Sequence, residues 1–341
     1  MSAIRKILLA GDIGGTKTFL RFAKAGGDIL AERRYDSQSY PGLDHILAEF
    51  VQAHPPLFIH AACFGVAGPV SEGRAEITNL PWKIDAAAIG SQFGIPHVRL
   101  INDFQAVAYG IEALRPDDLA TLQTGEPQMH GVRAVIGAGT GLGEGFMVWR
   151  EGHYEAMPSE GSHADFAPAD AQQIELLRYL ARHHGHVSYE RLVSGAGLVS
   201  LFDFLRETGD TEVAPDLRAA MEAGDSAAAI SRFALGGADR LAAEALDLFI
   251  RIYGAEAGNL ALKVLARGGV YVAGGIAPQI IGKLQEGEFL RAFGAKGRFA
   301  GLLATIPVHV VLDPKVGLLG AARVAERCLA PGQAAVGRAL A

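Results

Sequence analysis

The sequence predicts an α/β protein of two lobes, each built on one strand, glycine-hairpin and helix pattern. Three observations carry this. At 341 residues the chain exceeds the size at which one hydrophobic core stops growing. Two glycine-rich segments, Gly14-Gly15-Thr16 and Gly139-Thr140-Gly141, each stand between two extended apolar runs. After each of them strands alternate with helical spacing, so the second half restarts the pattern of the first, as an internal duplication does.

Residues 7–10 read as a strand entering a turn at residues 11–18, and residues 19–23 and 29–35 as the next two strands. A glycine-rich turn between strands is a hairpin. A nucleotide P-loop needs Gly directly before Lys and a helix directly after, whereas Thr16 precedes Lys17 and a strand follows. Residues 42–52 predict a helix, 59–66 a strand closed by Ala67-Gly68-Pro69, and 85–93 a further helix. Residues 98–101 are a short, mainly apolar run ended by Asn102 and Asp103, with helical spacing over 104–111.

The second round opens with an apolar run at 133–138 and enters a glycine-rich turn at 139–145, whose spacing does not fit Gly-x-Gly-x-x-Gly. Strands follow at 146–149 and 154–158. Residues 171–265 are largely helical, with apolar spacing over 174–180, 197–205, 230–246 and 248–264, and loops at Gly209-Asp210 and Gly224-Asp225. Residues 269–273 predict a buried strand ending at Gly274-Gly275-Ile276, with a helix starting at Pro278. A last strand is expected at 308–312 and a last helix at 317–329.

Composition narrows the class. Half the residues are hydrophobic and 20% are charged, as in a soluble globular protein. The net charge of −6 argues against a nucleic-acid or anionic-membrane surface. Cys63 and Cys328 form neither a disulfide framework nor a metal-ligand spacing, and no apolar run has the length of a signal peptide or a membrane span. A cytoplasmic protein is expected.

Several groups carry chemistry. Asn102 and Asp103 sit at the carboxyl end of a core strand, the edge that faces the ligand crevice in open α/β sheets. Asp103 has two readings, as the N-cap of the following helix or as a general base aimed into a cleft. The two hairpins would be backbone cradles for phosphate, with Thr16 and Thr140 adding hydroxyl donors; as tight hairpins they could equally serve structure alone. Asp12 beside phosphates makes sense as a holder of Mg²⁺, directly or through water. Glu160, His163 and Glu190 are suitable partners for the hydroxyls of a sugar ring, or else solvated loop residues. The run His183-His184-Gly185-His186 reads as a wet helix end, with no carboxylate or cysteine at metal-site spacing. Gly274-Gly275 could admit a flat ring or nucleoside close to the backbone, or be a plain turn.

Gly11-Asp12-Ile13-Gly14-Gly15-Thr16, Leu100-Ile101-Asn102-Asp103-Phe104, residues 137–143 and Glu160-Gly161-Ser162-His163-Ala164-Asp165-Phe166 occur in this order and spacing. Together they closely resemble the bacterial ATP-dependent glucokinase family, within the sugar kinase, actin and Hsp70 superfamily. The resemblance implies a two-lobed actin-like ATPase fold (ribonuclease H-like) with a cleft between the lobes. It implies a small domain of residues 1–114 plus about 305–341 and a large one of 115–304. By the same resemblance, Asp103 deprotonates the sugar 6-hydroxyl, and Asn102, Glu160, His163 and Glu190 bind sugar hydroxyls. By the same resemblance the segment Gly11, Asp12, Ile13, Gly14, Gly15 and Thr16 binds ATP phosphates, and Gly274 and Gly275 lie near the adenosine; Gly139 and Thr140 are the second phosphate cradle expected from the hairpin itself. The implied reaction converts D-glucose and ATP to glucose 6-phosphate and ADP with Mg²⁺. The zinc-binding cysteines of the related repressor and open-reading-frame sugar kinases are missing, and a first strand at Ile7 leaves no room for their DNA-binding segment, so no zinc and no nucleic acid are expected.

The rival readings are a kinase for another hexose or N-acetylhexosamine, a sugar sensor without turnover, and an actin-like ATPase. The carboxylate at Asp103 counts against the sensor, and Glu160, His163 and Glu190 count against the ATPase. A homodimer is the default assembly.

Overall fold

The computed structural model describes residues 6–55, 57–78 and 80–329. Its strands are β1 (Ile7–Ile13), β2 (Lys17–Lys24), β3 (Ile29–Asp36), β4 (Ile59–Val66), β5 (Val70–Ser71), β6 (Arg74–Glu76), β7 (Lys83–Asp85), β8 (Val98–Asn102), β9 (Leu119–Gln123), β10 (Arg133–Ala138), β11 (Leu142–Arg150), β12 (His153–Ser159), β13 (Gly269–Ala273) and β14 (Val308–Val311). Its α-helices are α1 (Leu43–Gln52), α2 (Ala86–Phe93), α3 (Asp103–Ile111), α4 (Ala171–Ala181), α5 (Gly195–Thr208), α6 (Pro215–Ala223), α7 (Ser226–Leu235), α8 (Arg240–Val264), α9 (Ile281–Gln285), α10 (Glu288–Gly294), α11 (Ala300–Thr305) and α12 (Val316–Arg327). Two compact units result. One runs to Arg115 and resumes at Lys315; the other is continuous from Pro116 to Pro314.

In the first unit five strands lie in the order β3-β2-β1-β4-β8. β1 is antiparallel to β2 and parallel to β4, and β4 is parallel to β8. Strands β1 and β4 are apolar and buried at nearly every position, as strands covered on both faces are. Leu9, Leu20, Phe22 and Phe64 pack with Ile46, Leu47 and Phe50 of α1, while α12 lies against β1, β4 and α3. The α3–α12 packing is at backbone distance. A methyl group on Gly110 would collide with the Val316 carbonyl, and one on Gly320 with the Ala106 carbonyl. A small sheet, β5-β6-β7, was not anticipated from the sequence, because strands of two or three residues carry no readable period.

The second unit repeats the arrangement. Its sheet has the order β12-β11-β10-β13-β14-β9, with β10 antiparallel to β11 and parallel to β13, and β13 parallel to β14. Only β9, antiparallel to β14 at the far edge, has no counterpart in the five-stranded sheet. The long helix α8 packs with α5, α7 and α10, and its apolar residues form the centre of this unit's core.

Several boundaries differ from the sequence expectation. β1 continues through Ile13, because β2 and β4 bond it on both sides to that point, so the first turn is Gly14-Gly15-Thr16 and not residues 11–18. The two helices expected over 230–246 and 248–264 are divided elsewhere. α7 ends at Leu235, and Asp239 caps a continuous α8 by accepting the Ala242 N–H. The residues after Gly274 form turns, and a helix begins only at Ile281 instead of Pro278. The chain re-enters the first unit at Lys315 and not near residue 305, because β14 is hydrogen-bonded into the second unit's sheet. Residues 330–341 of the expected small domain lie outside the described residues. Among the described residues no helix is long and apolar enough to cross a membrane.

The α3–α12 contact predicts that Gly320→Ala destabilises the protein by about 1–3 kcal/mol, read as a lower urea midpoint at unchanged slope. Gly282→Ala in α9, where a methyl group meets open space, should leave the midpoint unchanged or slightly raised. Equal midpoints for the two variants would mean that α3 and α12 are not in backbone contact.

Candidate active site

In the first unit the register places Ile13, Val66 and Asn102 in one row across the sheet. The β1–β2 hairpin tip, the turn at Ala67-Gly68 and Asp103 therefore leave along one edge. The hairpin is braced by Ser37, whose Oγ donates to the Gly14 carbonyl at 2.8 Å and whose N–H donates to the Thr16 carbonyl at 3.0 Å. The Gly14 N–H is used within the turn, on the Lys17 carbonyl at 3.0 Å. Gly15 and Thr16 lie outside the strand ladder, with Thr16 exposed. Gly11 and Ile13 are buried strand residues, and Gly11 is small because Phe64 fills the space a side chain would need. Of the expected Gly11–Thr16 segment, Gly14, Gly15 and Thr16 form the turn itself, and Gly11, Asp12 and Ile13 belong to β1.

Asn102, and not Asp103, is the N-cap of α3. Its Oδ1 accepts the Phe104 N–H at 2.9 Å, and Gln105 returns a bond to the Asn102 N–H at 3.1 Å, which completes a capping box. The Asn102 amide also donates to the Gly68 carbonyl at 3.3 Å. With capping done by its neighbour, Asp103 is the first helical residue, and its Oδ1 accepts the Phe104 N–H at 2.9 Å. Burial and then the negative charge of Asp103 push the Asp12 carboxyl up to about 7. Gly317, in the first turn of α12, leaves room for that carboxyl: a methyl group there would stand 2.9 Å from Oδ2. Two neighbouring acids of this kind suit a divalent cation. No cluster of three or more His, Cys, Asp or Glu fit to hold a metal exists among the described residues, so a cation here would complete its shell with water and phosphate oxygens, as Mg²⁺ does.

In the second unit three expected residues converge. His163 Nε2 lies 3.9 Å from Glu160 Oε2, and His163 Nδ1 lies 3.9 Å from Glu190 Oε1. The side chains of Glu160 and His163 are 78% and 56% exposed and that of Glu190 33%, so all three present polar atoms to solvent. Glu190 is fixed against the second hairpin, where its Oε2 accepts the Leu142 N–H at 3.1 Å. Gly141 permits this approach, since any side chain there would displace the carboxylate. At the hairpin tip the Gly139 N–H donates to the Gly141 carbonyl, and the Gly139 carbonyl accepts from Gly195 at the start of α5. Thr140 is the exposed residue of the three. Gly274 comes beside this hairpin at φ +83°, over the Ala138 carbonyl that accepts the Ile276 N–H at 3.2 Å. Only glycine satisfies both the angle and the closeness.

Other residues were not singled out from the sequence. Ser37 and Gly317 are remote in sequence from what they brace, and no local pattern marks them. Glu144 is 2% exposed beneath the turn that carries Glu160. Its signal was its phase: a carboxyl at an interior position of a strand needs a reason. The histidine run lies just beyond α4 and is mostly exposed, as expected of a wet helix end, and His186 Nε2 meets Asp165 Oδ1 at 2.9 Å, a carboxylate too distant in sequence for a spacing rule to find.

The glucokinase family model matches residues 9–328. A glucokinase of Nostoc sp. is 47% identical over 339 residues, which cover 94% of this chain and 99% of the relative. The chain belongs to the glucokinase family. A solved glucokinase from an Antarctic psychrotroph superposes with a TM-score of 0.82 at 27% identity, covering 94% of this chain and 99% of that one. A ROK-family glucokinase from Streptomyces griseus, solved in complex with glucose and AMPPNP, shares the fold with a TM-score of 0.63 at 23% identity, over 94% and 99% of the two chains. The family fold is the actin-like α/β fold of sugar kinases, and membership makes this chain a sugar kinase.

For this glucokinase-family chain, the Asp12 environment has a stability consequence. A carboxyl raised from 3.8 to about 7 binds more protons folded than unfolded between those values, so its contribution to stability falls as pH climbs through that window. Asp12→Asn should therefore melt at a higher temperature than the parent near pH 8, with the difference shrinking as pH falls toward 4. Equal melting curves at both ends of the range would contradict the crowded-acid geometry.

Proposed function

We propose that the chain is an ATP:D-glucose 6-phosphotransferase acting in the cytoplasm. The observation that carries this reading is the meeting of Glu160, His163 and Glu190, two carboxylates on either side of one imidazole. Such a set both donates to and accepts from neighbouring hydroxyls, which is what a hexose offers. A bare phosphate or nucleotide site would not gather two exposed carboxylates.

Glu160, His163 and Glu190 grip sugar hydroxyls and set the orientation of the ring. Asn102 has a hydroxyl role only with what its capping bonds leave over. Asp103 accepts the proton of the 6-hydroxyl as that oxygen forms its bond to the γ-phosphorus, and the bond from γ-phosphorus to the bridging oxygen breaks to release ADP. Gly14, Gly15 and Thr16, with Gly139 and Thr140, cradle the phosphates, and Gly274 and Gly275 receive the adenosine against bare backbone. Asp12 would hold Mg²⁺, directly or through water, and the bound ion would neutralise charge on the transferring phosphoryl group. The ROK-family relative solved with glucose and an ATP analogue supports this pairing of substrates. A homodimer remains our assignment of assembly on general grounds of symmetry.

Glucose, mannose, fructose, N-acetylglucosamine and N-acetylmannosamine offered with Mg-ATP test the substrate, with glucose expected to give the highest kcat/KM. Asp103→Asn should fold, bind glucose by calorimetry with near-parental affinity, and lose about 10²–10⁴-fold in kcat. Retained turnover in that variant would remove Asp103 from the role of base.

A further inference from the structure

Glu144 lies in β11 opposite Ser159 of β12, and its side chain is buried. A methyl group on Gly161 would collide with Glu144 Oε2, so this carboxyl lies directly beneath the turn from which Glu160 and His163 project. Its other oxygen, Oε1, has no hydrogen-bond partner among the described residues. The charge that acts on it most strongly is a second acid, Glu256 of α8, which is fully buried. Glu256 is not idle. Its Oε2 accepts from Asn259 Nδ2 at 2.8 Å, and the same amide reaches Tyr189 Oη at 2.9 Å. Tyr189 directly precedes Glu190.

Two ionised carboxylates are acceptors only and cannot bond each other; one proton between them makes a hydrogen bond and gives Oε1 its partner. The cations facing the pair are Lys263 of α8, 3.4 Å from Glu256, and Lys296 beyond α10, which bonds Asn259 Oδ1 at 2.7 Å. Tyr189 from its turn and Tyr253 from α8 are the other ionisable groups facing it, and both are held neutral by burial at ordinary pH. Lys263 offsets one negative charge. A second would stand uncompensated under the sugar-binding turns.

We propose that Glu144, sharing one proton with Glu256, is the positioning residue of the sugar site: it supports the Glu160–His163 turn directly, and through Glu256, Asn259 and Tyr189 it supports the turn of Glu190. The inference rests on the sugar-binding role given above to Glu160, His163 and Glu190. Burial and the neighbouring Glu256 raise the Glu144 carboxyl to about 8, so the support is intact at neutral pH and is lost as pH rises past that value.

The test uses the full chain with saturating Mg-ATP, with glucose KM and kcat measured between about pH 6 and pH 9. The parent KM should rise about tenfold above pH 8 while kcat changes little, the mark of lost uniform binding. Glu144→Gln, uncharged at every pH, should keep the neutral-pH KM and abolish the alkaline rise. Glu144→Ala should raise KM throughout. If the alanine variant does not fold, Glu256→Gln supplies the second arm: it removes the like charge while Glu144 stays buried and ionisable, so the alkaline rise should move to lower pH, and an unmoved rise overturns the proposal. A Gln variant that follows the parent's pH profile overturns the proposal. His163→Ala separates the two levels. If it raises KM while Glu144→Gln keeps the alkaline rise, the sugar site stands and only the positioning role fails. If it leaves KM unchanged, the sugar site fails and the proposal with it.

Discussion

Parallel pairing beside an antiparallel hairpin is the constraint on which both units depend. Because β1 runs parallel to β4 and β8, the three strands end on the same side of the sheet, and the antiparallel return through β2 puts the hairpin tip there as well. The same holds for β10 with β13 and β14. Nothing else in the chain has to specify that Thr16, Asp12 and Asp103 share an edge, or that Thr140 and Gly274 do. The register fixes it. The remaining sequence then has only to keep those edges narrow, which explains glycine at 141, 274 and 317, where a side chain would strike a carboxylate or a carbonyl.

The edges are also where charge is least balanced. Asp12 stands against Asp103, and Glu144 against Glu256. A protein selected for stability alone would separate such acids or pair each with a cation, since an uncompensated buried charge is among the larger penalties a fold can carry. The ion pairs that are well formed, such as Arg21 with Glu32 at 2.6 Å and Lys315 with Glu32 at 2.5 Å, involve residues to which no chemistry is assigned. Function and electrostatic comfort are kept apart in this chain.

Much of the scaffold could be read in advance because its signals are local. Gly14-Gly15-Thr16 and Gly139-Thr140-Gly141 between apolar runs announce hairpins, and 59–66 coincides with β4 from end to end. The convergence of Glu160, His163 and Glu190 was readable only through family resemblance, since 27 residues separate His163 from Glu190 and spacing rules do not reach that far. Where reading failed, two local signals competed. Asp103 and Asn102 are both good caps, and what decides between them is the capping box at Asn102, whose Oδ1 accepts the Phe104 N–H and whose own N–H donates to Gln105 Oε1. Apolar spacing ran through Gly236-Gly237, although Asp239 held the information for the true start of α8. β9 and the β5-β6-β7 sheet depend on partners remote in sequence or on runs too short to show alternation. The Glu144–Glu256 contact joins a strand to a helix across more than a hundred residues, and no motif anticipates it.

The first unit is discontinuous. α12, made after the whole of the second unit, covers β1 and β4, and its glycine seats against α3 accept no substitute segment of ordinary side chains. On the ribosome, the strands that emerge first therefore wait with one apolar face uncovered, while the continuous second unit can finish its core ahead of them. A molecule stopped before residue 316 leaves bare the faces of β1 and β4 on which α12 packs, so the last helix to be made is the one that closes the first unit's core.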